Sequence, residues 1–257
     1  VREVYFLSDF GLADPYAAVV KAVMRQVAPG LTVHDLAHNL PPGDLRRASY
    51  ILYESVPYLP RGAVVLAVVD PGVGSSRRAV LVVGERLFYV APDNGLLTLA
   101  YLQDPPRRAY LLEDPAYHLP RKSSTFHGRD VFGPVAAHLA SGVEPTRFGP
   151  ELPVRELLRL PIHLNFGRQG EILTFDRFGN AITTLLATPT QARGKTVRIR
   201  YHRIPVATHY AEVPVGAALA YVGSAGLLEV AVHLGNAREQ LGLREGDPVE
   251  LWGGRGG

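Results

Sequence analysis

The chain has 257 residues, 47% of them hydrophobic, and a formal net charge of +3 at neutral pH; that length is compatible with one large domain or two of unequal size, and two are expected. It contains no cysteine, which excludes disulfides, thiolate nucleophiles and cysteine-bound metal sites. Its arginines are scattered in pairs such as Arg46-Arg47 and Arg77-Arg78, so no nucleic-acid partner is expected, and apolar stretches such as Ala63 to Val69 are too short to cross a bilayer.

Val1 to Leu7 reads as a strand, not a signal peptide, because no basic segment precedes it and no small-residue cleavage site follows; the expected location is the cytoplasm. The apolar run Val4 to Leu7 stops at Ser8-Asp9-Phe10-Gly11. Asp14-Pro15 then predicts a helix from Tyr16 to Val27, with the aspartate as its cap. A strand is predicted over Leu31 to Leu36, a helix over Asp44 to Val56, and a strand over Ala63 to Val69 that is apolar at every position, as in the middle of a covered sheet. Further strands are expected at Ala79 to Val83, Leu87 to Val90 and Ala109 to Leu112, with helices at Gly95 to Leu102 and Asp130 to Leu139. The pattern is α/β: an N-terminal α/β/α domain with a largely parallel central sheet.

Beyond Leu157-Leu158-Arg159-Leu160-Pro161 the texture changes to short strands at Gly170 to Phe175, Thr196 to Tyr201, Ala217 to Val222, Leu227 to Val232 and Pro248 to Trp252. That spacing predicts a smaller C-terminal antiparallel β-sheet or barrel domain, with residues 1–160 and 161–257 as the two domains. The Gly-rich end, Gly253 to Gly257, reads as disordered.

In an open parallel sheet, ligands collect outside the carboxyl ends of strands. Asp9 and Asp70 occupy two such ends, each beside a Gly-containing turn that an aspartate also suits as a turn cap. In Asp70-Pro71-Gly72-Val73-Gly74-Ser75-Ser76-Arg77 the glycines let backbone approach a ligand, and Arg77 can fold back toward Asp70. The spacing matches neither a dinucleotide fingerprint nor a phosphate loop. Phe126-His127-Gly128-Arg129-Asp130 enters a helical pattern; His127 reads either as a helix-entry histidine satisfied by backbone or as a functional one, and Gly128, which clears space beside the ring, favours the second. His34 and His38 are four apart but lie in an extended segment, so no metal site is expected there. Asp176-Arg177-Phe178-Gly179-Asn180 offers a carboxylate, a flat ring and an amide within one turn; the competing reading is a hairpin turn with Phe178 in the core. Gly223-Ser224-Ala225-Gly226 is a small-residue turn entering a strand.

Taken in order, Ser8-Asp9-Phe10-Gly11, Asp70-Pro71-Gly72-Val73-Gly74, Phe126-His127-Gly128-Arg129-Asp130, Phe178-Gly179-Asn180 and Gly223-Ser224 resemble the S-adenosylmethionine hydrolases, also called S-adenosylmethionine hydroxide adenosyltransferases, relatives of the fluorinases and chlorinases. The resemblance implies that water or hydroxide attacks the ribose C5′ of S-adenosylmethionine and expels methionine, with no cofactor or metal. It implies that Asp70, Arg77 and His127 hold the attacking water and that Asp9 holds the ribose hydroxyls. It places Phe126 and Gly128 at the substrate, Phe178 and Asn180 at adenine, Asp176 and Ser224 near the methionine amino and carboxylate groups, and the Leu234 backbone at the adenine edge. It also implies a homotrimer with sites at the subunit interfaces.

The halogenating relatives carry Tyr where Asp70 stands and Ser where Gly128 stands, so the resemblance favours water over halide. Ala225 stands where they have Arg, so the methionine carboxylate needs other partners. Two other readings stay open: a metal-dependent phosphohydrolase using Asp9, Asp70 and nearby histidines, and a non-catalytic binder of S-adenosylmethionine or adenosine.

Overall fold

The computed structural model describes residues 2–120 and 123–253. The Gly-rich tail expected to be disordered falls, from residue 254 on, outside the described residues. The chain divides into two compact units, Val1–Leu160 and Pro161–Gly257.

The first unit contains β1 (Val4–Ser8), α1 (Tyr16–Val27), β2 (Val33–Ala37), α2 (Leu45–Ser55), β3 (Val64–Val68), β4 (Ala79–Gly84), β5 (Phe88–Pro92), α3 (Ala100–Gln103), β6 (Pro106–Leu111), α4 (Gly133–Ala140) and β7 (Glu151–Leu152). Its strands form one sheet in the order β2-β1-β3-β5-β4-β6-β7. Successive β3 side chains point to opposite faces, and both faces are covered. Val64, Leu66 and Val68 pack with Val20 and Met24 of α1 and Val135 and Leu139 of α4. Val65 and Ala67 pack with Ala48 and Leu52 of α2 and with Leu96 and Ala100. That double burial is why the strand reads as continuously apolar.

The sheet is parallel from β2 through β1 and β3 to β5. It turns antiparallel at β4, β6 and β7. The cause is connection length: residues 85–87 are all that join β4 to β5, and a parallel crossover needs a dozen or more. The 69–78 loop must therefore pass from the end of β3 over the end of β5 to start β4, which gathers three segments at one edge of the unit. Asn94 Nδ2 donates to the Val69 carbonyl at 2.9 Å, and the Asp93 N–H donates to the Arg78 carbonyl at 2.9 Å.

Two local expectations are corrected. The Asp14 side chain does not cap α1, whose N-cap is Pro15 with no side-chain cap bond. The helix expected over Gly95 to Leu102 shrinks to α3, because Gly95 at φ +88° and the turns of residues 96–99 precede it.

The second unit contains β8 (Gln169–Phe175), β9 (Ala181–Leu186), β10 (Thr196–Ile199), β11 (His202–Pro205), β12 (Ala218–Val222), β13 (Leu227–Val232) and β14 (Pro248–Trp252). The sheet order is β11-β10-β14-β8-β9-β13-β12, with every pairing antiparallel. A bridge between Val206 and Ala220 nearly closes it into a barrel around Ile172, Val197, Leu228, Val230 and Val249. β9 is absent from the sequence-based elements because Thr183 and Thr184 interrupt its apolar run. Both are buried, and both are satisfied: the Thr183 hydroxyl donates to the Leu228 carbonyl and Thr184 Oγ1 accepts from the Glu171 N–H.

Candidate active site

At the carboxyl end of β3 the chain enters a tightly wound loop. The Val73 N–H donates to the Asp70 carbonyl, and both the Ser75 N–H and hydroxyl donate to the Gly72 carbonyl. Gly74 has φ +80°, and a Cβ there would lie 2.5 Å from the Ser124 carbonyl oxygen, so only glycine fits. This winding turns Arg77 back onto Asp70. Arg77 Nε donates to both carboxylate oxygens at 3.0 Å, and Nη2 donates to Oδ2 at 2.5 Å. Both side chains are nearly buried, at 10% and 6% exposure.

The same Arg77 Nη2 lies 2.8 Å from His127 Nδ1. A guanidinium has no acceptor, so this bond requires the lone pair of Nδ1. The ring is then neutral with its proton on Nε2, which makes that nitrogen a donor. Arg77 also sits over the Phe132 ring at 5.1 Å. Arg77 and His127 line a cleft of about 300 Å³ with Ser75, His118 and Val131.

His127 precedes a π-helical turn, Gly128–Phe132, in which the Gly133 N–H reaches back to the Gly128 carbonyl. Such turns are rare and occur frequently at functional sites. Asp130, fully buried, anchors the turn: its carboxylate accepts from Arg129 Nε and Nη2 and from the Ser123 N–H. Burial alone would raise its pKa, but the Arg129 pair and the Ser123 bond outweigh that and leave it below the ordinary carboxylate value. Gly128 does clear space, and the ring that uses it is Phe10: a Cβ would lie 3.0 Å from Phe10 Cζ and 3.4 Å from Val68 Cγ1.

Asp9 follows β1 and accepts from the Gly43 N–H at 2.7 Å. Gly43 in turn faces the Pro71 ring, which ties the Asp9 turn to the Asp70 loop. Phe10, Tyr16 and Phe126 meet edge to face in a triangle, which ties it to the His127 turn as well. The first unit thus brings Asp9, Asp70, Arg77, Phe126, His127 and Gly128 to one end of its sheet. His34 and His38 do not form a pair: His34 stacks on Tyr5, while His38 is buried against Ser8 and Asp35.

In the second unit, residues 176–180 form the hairpin turn between β8 and β9. Asp176 Oδ1 accepts from the Phe178 and Asn180 N–H groups, and Oδ2 accepts from Asn180 Nδ2, so this carboxylate holds the turn in shape. Gly179 at φ +82° leaves no room for a Cβ against Asn236. The turn pushes Phe178 outward, 70% exposed, and the reading that put it in the core is wrong. Leu234 is 83% exposed and held at φ +53°, a conformation that costs a leucine on the order of 1 kcal/mol.

The sequence reading misses one residue near the Gly223-Ser224 turn. Glu229 on β13 is buried, accepts from the Tyr221 hydroxyl at 2.6 Å, and comes so close under Gly223 that no Cβ fits there. Burial, followed by the bond to Glu229, keeps the Tyr221 phenol protonated far above its ordinary range. The signal in the sequence is a lone glutamate in an otherwise apolar strand.

Residues 4–149 match the SAM hydroxide adenosyltransferase N-terminal domain, and residues 170–250 match the C-terminal domain of the same name. The chain is 62% identical to the (R)-S-adenosyl-L-methionine hydrolase of Thermus thermophilus, over 98% of this chain and 100% of that one. It is 39% identical to the (R)-S-adenosyl-L-methionine hydrolase of Salinispora arenicola, over 97% of each. A crystal structure of a conserved hypothetical protein from Thermus thermophilus matches with a TM-score of 0.88 at 62% identity, covering 98% of this chain and 100% of that one.

Proposed function

The chain belongs to the SAM hydroxide adenosyltransferase family, and on that premise we propose that it hydrolyses S-adenosyl-L-methionine to adenosine and L-methionine by direct attack of water on the ribose C5′. The observation that carries this reading is one arginine bonded to both a buried carboxylate and an imidazole at the end of β3. The names of the relatives point to the (R) epimer at sulfur as the preferred substrate.

In the reaction the water oxygen bonds to C5′, the C5′–S bond breaks, and its electron pair leaves on sulfur as a neutral thioether. Charge is neutralised as an electron-rich oxygen meets a sulfonium, so a site shielded from bulk water strengthens the attraction. His127, with its proton on Nε2, donates to the water and aims it. Asp70, an acceptor only, takes the proton that the water loses. Arg77 fixes both groups in one geometry, and a positioned base of this kind contributes roughly 10²–10⁴-fold. Asp9 accepts from the ribose hydroxyls, and Phe126 and Gly128 shape the wall beside it. Phe178 stacks on adenine, Asn180 bonds its edge, and Leu234 presents backbone to it. Ser224, Asp176 and the adjacent Glu229 meet the methionine carboxylate and ammonium groups.

The active form in this reading is a cytoplasmic homotrimer that binds substrate at subunit interfaces and requires no metal or cofactor. Among the described residues, no helix is long and apolar enough to cross a membrane. A metal-dependent phosphohydrolase would need Asp70 as a ligand, and the Arg77 guanidinium paired with that carboxylate would repel a cation bound there.

Incubation with S-adenosylmethionine in ¹⁸O-labelled water, with and without chelator, tests the proposal. Label on the 5′ oxygen of adenosine, unaffected by chelator, is expected. Binding without turnover, or activity lost to chelator, would overturn it.

A further inference from the structure

We infer that His38, which lies outside the groups assigned to the reaction, is the positioning residue for the Asp9 carboxylate. The inference rests on the hydrolase reading and extends it to how the ribose subsite is held.

His38 follows β2 and is buried, its side chain only 2% exposed. Its Nδ1 lies 2.6 Å from Ser8 Oγ, and its Nε2 lies 3.0 Å from Asp35 Oδ1. Asp35 only accepts, so Nε2 carries a proton, and in the neutral ring Nδ1 then accepts from the Ser8 hydroxyl. Lys21 pairs with Asp35 at 2.9 Å and balances its charge. The Phe6 ring packs edge to face on the imidazole, with centroids 4.7 Å apart, and holds its plane.

The segment that carries Asp9 is held on both sides by this one residue. On the near side Ser8, fully buried, donates to His38 and accepts the Phe10 N–H at 3.3 Å. On the far side the His38 carbonyl accepts the Gly11 N–H at 2.8 Å. The three residues from Ser8 to Phe10 are therefore wound around an anchor that Asp9 itself does not touch. The Gly43 N–H on Asp9 Oδ2 completes the aim of the carboxylate. A site that reads ribose hydroxyls through one carboxylate depends on that aim, because a hydrogen bond weakens steeply as its angle closes.

The chain from Ser8 through His38 to Asp35 contains the residue types of a nucleophile triad, but the Ser8 hydroxyl has no exposure to a substrate and its oxygen is occupied on both sides. Its geometry serves orientation.

The test compares KM and kcat for S-adenosylmethionine, Kd for adenosine and melting temperature across four variants. His38→Ala removes both side-chain bonds, to Ser8 and to Asp35, and leaves the carbonyl bond to the Gly11 N–H. His38→Gln keeps a group near the Nε2 position and loses the contact with Ser8. His38→Asn keeps an acceptor near the Nδ1 position. Ser8→Ala severs the same contact from the other side, together with the Phe10 N–H bond, and reports even if His38→Ala fails to fold. His38→Ala, His38→Gln and Ser8→Ala are expected to raise KM and the adenosine Kd on the order of tenfold to a hundredfold, with kcat at saturation changed by less than about threefold. His38→Asn is expected to restore most of the affinity. Wild-type KM in His38→Gln and Ser8→Ala would overturn the inference while leaving the hydrolase reading intact. So would a loss of kcat and melting temperature with no change in KM. A wild-type protein that releases no adenosine would instead overturn the hydrolase reading.

Discussion

Arg77 grips Asp70 through two nitrogens, Nε to both carboxylate oxygens and Nη2 to Oδ2, although the two stand seven positions apart in the chain. The loop between them is closed by its own backbone bonds, so the pair is preformed. Replacing Arg77 with Ala leaves a buried carboxylate unpaired, and breaking a buried pair this way costs about 3–5 kcal/mol. Arg77→Ala is expected to lower the denaturant midpoint by the corresponding amount and to abolish measurable turnover. Arg77→Lys cannot bond Asp70 and His127 in the same fork and is expected to recover stability better than rate.

Asp70 and His127 are assigned unequal parts, and their variants should rank accordingly. Asp70→Asn removes the proton acceptor and is expected to lower kcat roughly 10²–10⁴-fold. His127→Ala removes a donor that aims the water, and a smaller loss is expected, on the order of tenfold to a hundredfold. Single-turnover rates would measure both. The reverse order would assign proton removal to the imidazole.

Gly74 and Gly62 both have positive φ, but only Gly74 faces a backbone atom where a Cβ would be. Gly62→Ala is expected to cost about 1 kcal/mol from conformation alone. Gly74→Ala must also displace the Ser124 carbonyl, so a larger loss of stability and a fall in kcat are expected. Paired thermal melts and rates decide the comparison.

Asp130 links pH to the order of the His127 turn. Its folded pKa lies below the ordinary 3.8. A depressed carboxylate contributes stability that is fully present above its unfolded value and is lost as pH falls through the folded one. Wild type should therefore lose stability on acidification below about pH 4, and Asp130→Asn should lose less over that window while starting lower at neutral pH. Melting curves across the acid range would show it; parallel curves for the two proteins would refute it.

Leu234 bears conformational strain at an exposed position. Leu234→Gly relieves the positive φ, although glycine adds freedom to the unfolded chain, so stability should change by less than about 1 kcal/mol. If the backbone conformation held at Leu234 serves the adenine edge, loosening it should raise KM while the melting temperature holds. A falling melting temperature with unchanged KM would make Leu234 a purely structural residue.

Much of the fold is written in short-range patterns. The β3 run is apolar at every position because both faces are covered, and α1 occupies the residues its periodicity predicts. Other elements depended on contacts that no local pattern contains. β9 carries two buried threonines whose cost is removed by partners on β13 and β8, so its run does not look like a core strand. Asp14 has the chemistry of a cap, but the N-cap position falls one residue later, on Pro15, with no side-chain cap bond.

The site divides along the same line. Asp9, Asp70, the Gly-rich turn after it and His127 stand out in the sequence because strand ends and glycines mark where backbone can approach a ligand. That Arg77 joins Asp70 to His127, that Gly128 makes room for Phe10, and that Glu229 lies beneath Gly223 were decided only by the tertiary structure. Each depends on side chains brought together from separate segments, and a hydrogen bond or a steric limit exists only once the chain has placed both partners. Asp70 as a carboxylate at the end of a buried strand was legible from the sequence; its pairing with Arg77, and the tautomer this imposes on His127, belong to the fold.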